Sequence, residues 1–135
     1  RFAEEFRISD FMQMFKEMSE RKDRHFGYTY EKLESFLIKL HSLGLLHQYN
    51  LYRDDRIVSS NLLLQNSNDI AYTVFRATDP EALRNGASSL HTVKLCENMA
   101  GKASELDFCG ANIPEIARFK AALGLTLKVF YQIRT

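Results

Sequence analysis

Phe11, Met12, Phe15 and Met18 recur at three- and four-residue steps, with Gln13, Lys16, Glu17 and Glu20 on the opposite side. That spacing predicts an amphipathic helix, capped at Ser9-Asp10 and ending near Lys22, before the charged run to Arg24 and the break at Gly27. A second helix is predicted over 30–43, with Leu33, Phe36, Leu37 and Leu40 on one stripe, Thr29 as cap and Gly44 as stop. After Gly44 the period drops to two. Segments 45–53, 56–65 and 70–77 read as strands separated by Asp54-Asp55 and by Asn66-Ser67-Asn68-Asp69, hence an antiparallel meander. Its expected buried face is Leu62, Leu64, Ile70, Tyr72 and Val74.

Asp79-Pro80 closes the meander, and a polar loop containing Gly86 is expected up to Ser89. A third helix follows over 89–100, with Leu90, Val93, Leu95, Cys96 and Met99 as its apolar positions and Gly101 as its stop. Residues 105–110 read as a short strand. Residues 113–123 read as a helix with Pro114 near its start and Gly124 at its end, and 126–133 as a last strand. The order ααβββαβαβ is a mixed α/β layer with a central antiparallel meander and helices on both faces.

Composition narrows the function classes. The 135 residues are 45% hydrophobic, which suits one domain with its own core and excludes a disordered chain. Eighteen Lys and Arg against seventeen Asp and Glu leave a net charge of +1, too little basic excess for general nucleic-acid binding, so DNA is not an expected partner. No apolar run approaches the ~20 residues of a membrane-spanning helix. Cys96 and Cys109 make neither a disulfide framework nor a metal box, so both are expected to be buried free thiols in a reducing cytoplasm. His25, His41 and His47 lack ligand spacing, and no metal is expected.

The second half carries a resemblance. Gly86-Ala87-Ser88-Ser89-Leu90, a helix ending at Gly101, Leu106-Asp107-Phe108-Cys109-Gly110, Ile116-Ala117-Arg118-Phe119-Lys120 and Leu123-Gly124 follow one another. This resembles the FemAB-like branch of the GCN5-related N-acetyltransferase (GNAT) proteins, with a glycine loop, a helix, an "FDFxG" strand and an "FKxxFG" helix end. The element order is similar to the GNAT core with its first strand short or missing. Two departures accompany it. Arg84-Asn85-Gly86-Ala87-Ser88-Ser89 approximates the GNAT pyrophosphate loop without meeting its second glycine position, and FemAB-like proteins pair two such domains. The resemblance therefore implies one GNAT-like domain over 1–135, the C-terminal half of a longer two-domain protein. A chain starting on Arg rather than Met agrees with that expectation.

The resemblance implies an acyltransferase using acyl-CoA, such as acetyl-CoA, or an aminoacyl donor, and a small-molecule or cell-envelope acceptor bearing an amine or hydroxyl. Arg84, Asn85, Gly86, Ala87, Ser88 and Ser89 would hold the donor phosphates, and Phe108, Cys109 and Gly110 would orient its chain. The loop also has a rationale of its own, since unpaired N–H groups at a helix start attract anions. The plain alternative is a turn at Asn85-Gly86 with Ser88 or Ser89 as an N-cap. For the chemistry, His91 and Asp107 are candidate bases and Tyr131 a candidate acid. The bland readings are a surface histidine and a capping or paired aspartate. Lys120 and Arg118 are candidate substrate contacts, set against solvated charges. A second function class stays open: a degenerate GNAT half that no longer binds a donor and serves as a structural or partner-docking module.

Overall fold

Five strands form one sheet in the order β1-β2-β3-β4-β5 in the computed structural model, which describes residues 1–21, 29–65, 70–103 and 105–107. They are β1 (Phe2–Glu4), β2 (Leu46–Arg53), β3 (Arg56–Leu64), β4 (Ala71–Thr78) and β5 (Leu106–Asp107), with α1 (Ile8–Arg21), α2 (Tyr30–Ser42), α3 (Pro80–Arg84) and α4 (Ala87–Met99) between them. Neighbours from β1 to β4 run antiparallel, as the short polar separators on either side of β3 lead one to expect for β2, β3 and β4, and β5 pairs parallel to β4. The result is a mixed α/β fold, as the periodicity implies. The expected helix over 113–123 and strand over 126–133 lie outside the described residues, as do Gly27 and the turn at 66–69.

One side of the sheet holds the larger core. Leu46, Leu62 and Ala77 meet Ile8, Phe11, Met12 and Phe15 of α1 and Leu33 and Leu37 of α2. Burying each of the larger side chains stabilises the fold by roughly 1.5–3 kcal/mol. Thr29 caps α2 as expected, its side-chain oxygen accepting from the Lys32 N–H at 3.2 Å. Gly44, at φ +76°, provides the left-handed turn into β2. Phe36, assigned by spacing to the α2 stripe, is instead exposed.

Four further expectations are corrected. The order ααβββαβαβ omits a first strand, and one is present, short as the resemblance allows: Phe2, Ala3 and Glu4 pair with Leu51, Asn50 and Tyr49. The supposed polar loop after Asp79 contains α3, whose N-cap is Asp79 and whose first position is Pro80. That dipeptide ends a strand and starts a helix at once, because Pro fixes a helical φ and has no N–H to satisfy. The strand faces also shift. Leu62 and Leu63 pair with Phe75 and Thr73, so Val74 is an extra residue on β4, and the bulge breaks the alternation. Tyr72 is exposed, while Leu64, Ile70 and Val74 are only half-buried.

The fourth correction concerns the face of α4. Leu90, Val93 and Cys96 point outward, whereas Ser88, His91, Thr92, Leu95 and Met99 are buried. Cys96 is thus an exposed thiol rather than a core one, and Cys109 lies outside the described residues. The reason is the sheet below. Leu63, Ala71 and Tyr49 offer an apolar seat to Leu95 and Met99 only, and beneath the first half of the helix the strands present Ser59, Asn61 and Arg76. A polar helix face meets a polar strand face.

Candidate functional site

The site is built around the start of α4, which the chain reaches from the C-terminal end of β4 through the short helix α3. Asp79 Oδ2 accepts from the Ala82 N–H at 3.2 Å and anchors α3, whose last turn carries the exposed Arg84. Asn85 and Gly86 then reverse the chain, their N–H groups bonding the carbonyls of Ala82 and Leu83 at 3.1 Å. Gly86 has φ +80°, a conformation that disfavours any side chain, and an added Cβ there would meet nothing within 4 Å. Glycine is needed at this position for its backbone and not for space.

Gly86 is the N-cap of α4, and no side chain caps that end. The first intrahelical bond runs from the Leu90 N–H to the Gly86 carbonyl at 3.0 Å. The N–H groups of Ala87, Ser88 and Ser89 precede it and have no acceptor within the helix. They and the helix dipole make this end electropositive. An open cleft of about 240 Å³ borders it, walled by Asn85, Gly86, Ala87 and Leu90 and, across from them, by Leu51, Tyr52, Arg53 and Val58. Ser88 is not a free loop donor: its hydroxyl faces the sheet and accepts from Arg76 Nη1 at 3.3 Å.

Arg76, itself half-buried, is the centre of a polar layer under α4. Its Nε donates to Asn61 Oδ1 at 2.8 Å and its Nη2 to Thr92 Oγ1 at 3.4 Å. Thr92 in turn donates to the Ser88 carbonyl at 2.9 Å. Beside it His91 is fully buried, with Nδ1 2.7 Å from Ser59 Oγ and its ring edge-on to Phe2. Burial first, and the positive charge of Arg76 second, hold the His91 pKa down to about 3, with a Tyr49 backbone group offsetting part of the shift. His91 is therefore a neutral imidazole at pH 7. The plain reading of it as a surface residue is overturned by the polar strand face beneath.

The sequence candidates do not all converge. His91 sits at the level of Ser59, which pairs with Thr78, and Asp107 pairs with Tyr72, six residues back along β4. At the rise of a strand that is about 20 Å, so the structure does not bring the two together. Parallel pairing of β5 with β4 covers only Ala71–Leu106 and Tyr72–Asp107, and among the described residues no strand flanks 73–78 on that side. Phe108, Cys109, Gly110, Arg118, Lys120 and Tyr131 lie outside the described residues. Among the described residues no group of three His, Cys, Asp or Glu side chains gathers to hold a metal, and no helix is long and apolar enough to cross a membrane.

Sequence reading missed Arg76, Asn61 and Ser59. A signal was present: Ser59, Ser60 and Asn61 stand consecutively in the middle of a central strand, between apolar pairs that would ordinarily continue the alternation.

Comparison with known proteins adds the family. The model of the Acetyltransferase (GNAT) domain matches residues 1–121. No curated protein matches the chain. Among solved structures, a predicted acetyltransferase from Clostridium acetobutylicum with acetyl-CoA is similar at a TM-score of 0.72 and 9% identity, over 100% of this chain and 95% of that one. An aminoglycoside 6'-N-acetyltransferase from Acinetobacter haemolyticus gives 0.69 at 13% identity, over 100% and 98%. A ribosomal-protein-alanine N-acetyltransferase from Brucella melitensis biovar Abortus gives 0.71 at 10% identity, again over 100% and 98%. At such identities the likeness is one of fold.

Proposed function

Since the chain belongs to the Acetyltransferase (GNAT) domain family, we propose that it transfers an acetyl or other acyl group from acyl-CoA to an amine or hydroxyl of a small-molecule or cell-envelope acceptor. The observation that carries this reading is the uncapped start of α4, where three unpaired N–H groups and a left-handed glycine stand at the end of β4. A pyrophosphate is the ligand such an end suits best. Arg84, exposed beside the turn, adds a charge-assisted contact, and Arg53 faces the same cleft. The solved relative with acetyl-CoA supports that donor over an aminoacyl one.

In this reading the acceptor nitrogen or oxygen attacks the thioester carbonyl, the C–S bond breaks, and the thiolate takes up a proton. Asp107, at the β4–β5 pairing, is the candidate base for the acceptor and Tyr131 the candidate acid for the thiolate. His91, shielded and with its pKa near 3, is too weak a base to share that work. Phe108, Cys109 and Gly110 orient the donor arm, while Lys120 and Arg118 contact the acceptor. The finer placement is the FemAB-like branch, beside a second GNAT-like domain and in the cytoplasm with the acyl-CoA pool; the motif residues 86–124 support it.

Calorimetric titration with acetyl-CoA is the test. Saturable binding that weakens in Arg84→Glu is expected. A wild-type chain silent at millimolar acetyl-CoA overturns the donor site and favours a structural or partner-docking half.

A further inference from the structure

Arg76 is left unused by the donor site as described. It stands on β4 opposite Asn61, and burial lowers its pKa from the ordinary value. No carboxylate of the described residues pairs with it; its contacts are three neutral oxygens, on Asn61 of β3 and on Ser88 and Thr92 of α4. A half-buried cation held this way is partly desolvated, and neutral oxygens offset that cost only in part. Two atoms of the same layer, Asn61 Nδ2 and His91 Nε2, have no hydrogen-bond partner among the described residues. An apolar residue of similar shape would serve packing better. The charge and the fork of this half-buried guanidinium are placed to act on something beyond the core.

The fork spans two layers. Nε is fixed to the sheet, and the two terminal nitrogens grip the first and second turns of α4. Ser88, one of the gripped residues, also contributes an unpaired N–H to the helix start. We propose that Arg76 is a positioning residue for the donor phosphates: it sets the first turns of α4 on the sheet through Ser88 and Thr92, and it places beneath them a positive charge that a bound pyrophosphate completes. The inference rests on the donor-binding reading above. Lysine preserves the charge but not the three-point grip, so the two roles separate in Arg76→Lys and Arg76→Met.

The experiment compares acetyl-CoA with acetylpantetheine, which has the thioester arm and no pyrophosphate. Acetyl-CoA affinity is read by calorimetry and acetylpantetheine affinity by ligand-observed NMR, which reaches the millimolar range. Arg76→Met is expected to weaken acetyl-CoA roughly tenfold and Arg76→Lys about threefold, with acetylpantetheine unchanged. Thr92→Val, which removes one acceptor and keeps its shape, is expected to cost about twofold and serves if Arg76→Met does not fold. Unchanged acetyl-CoA affinity in the variants overturns the inference and leaves the donor site standing. So does equal weakening of both ligands, the mark of a merely structural residue. A wild-type chain that binds no acetyl-CoA removes the donor site itself, and this inference with it.

Discussion

Under α1, Gln48, Asn50 and Ser60 are fully buried and exchange hydrogen bonds until every side-chain donor and acceptor in the group is used. Gln48 also takes the Arg7 N–H at 2.8 Å and Asn50 donates to the Glu5 carbonyl at 2.9 Å, so the network ties down the passage from β1 to α1. Tyr52 closes it with a hydrogen bond to the Glu5 carboxylate. Under α4 the same strands present Ser59, Asn61, Arg76 and Thr73 to the other side. Among the described residues a cation there lacks a counter-charge, and Asn61 Nδ2, Thr73 Oγ1 and His91 Nε2 lack partners. A saturated neutral layer stabilises and specifies a fold. An unsaturated charged layer costs stability, and its place against the electropositive end of a helix gives it a use.

If that contrast is right, damage to the two sides has different consequences. The largest effect is expected from Phe11→Ala, which empties a fully buried position of the α1/α2 core. It should destabilise the chain by about 3–5 kcal/mol in urea unfolding, with acetyl-CoA affinity unchanged in the molecules that remain folded. Asn50→Ala should cost about 2 kcal/mol by stranding the partners of a buried amide, again without touching donor affinity. Weakened donor binding in either variant would erase the distinction between the faces.

The α4 side should announce itself through pH. The His91 pKa is about 3 in the folded chain against an ordinary 6.5, so between those values the unfolded chain holds the extra proton. Stability is therefore complete above pH 6.5 and falls as pH drops towards 3, by up to about 1.4 kcal/mol per unit for this one group. Denaturation midpoints of His91→Gln, measured from pH 7 to 4, should fall less steeply than those of the wild-type chain. Parallel slopes would mean that His91 is not the neutral buried group described.

The smallest effects make the finest comparison. Thr29 and Asp79 are both N-caps with a side-chain oxygen on a helix N–H, one on α2 and one on α3. Thr29→Ala and Asp79→Ala should each cost about 1 kcal/mol. Only Asp79→Ala should also weaken acetyl-CoA, because α3 leads directly into the Asn85-Gly86 turn. Equal donor affinity in the two would detach that turn from the site.

Much of this molecule is written locally. The caps at Thr29 and Gly44, the three meander strands, and the glycine turn into α4 follow from side-chain size, backbone freedom and hydrogen-bonding capacity within a few residues. So does the candidacy of Arg84, Asn85, Gly86, Ala87, Ser88 and Ser89, since a glycine turn running into a helix exposes N–H groups wherever it occurs. Tertiary structure decided what periodicity leaves undetermined. Leu90 and Val93 look as suited to a core as Leu95, yet they face outward, because a helix rolls to match whichever strand face lies beneath it. The bulge at Val74, the burial of His91 and the grip of Arg76 on Ser88 and Thr92 all depend on residues far apart in the chain. No local pattern carries a desolvation energy or a missing counter-charge, for both arise only when the strands and the helix are brought together.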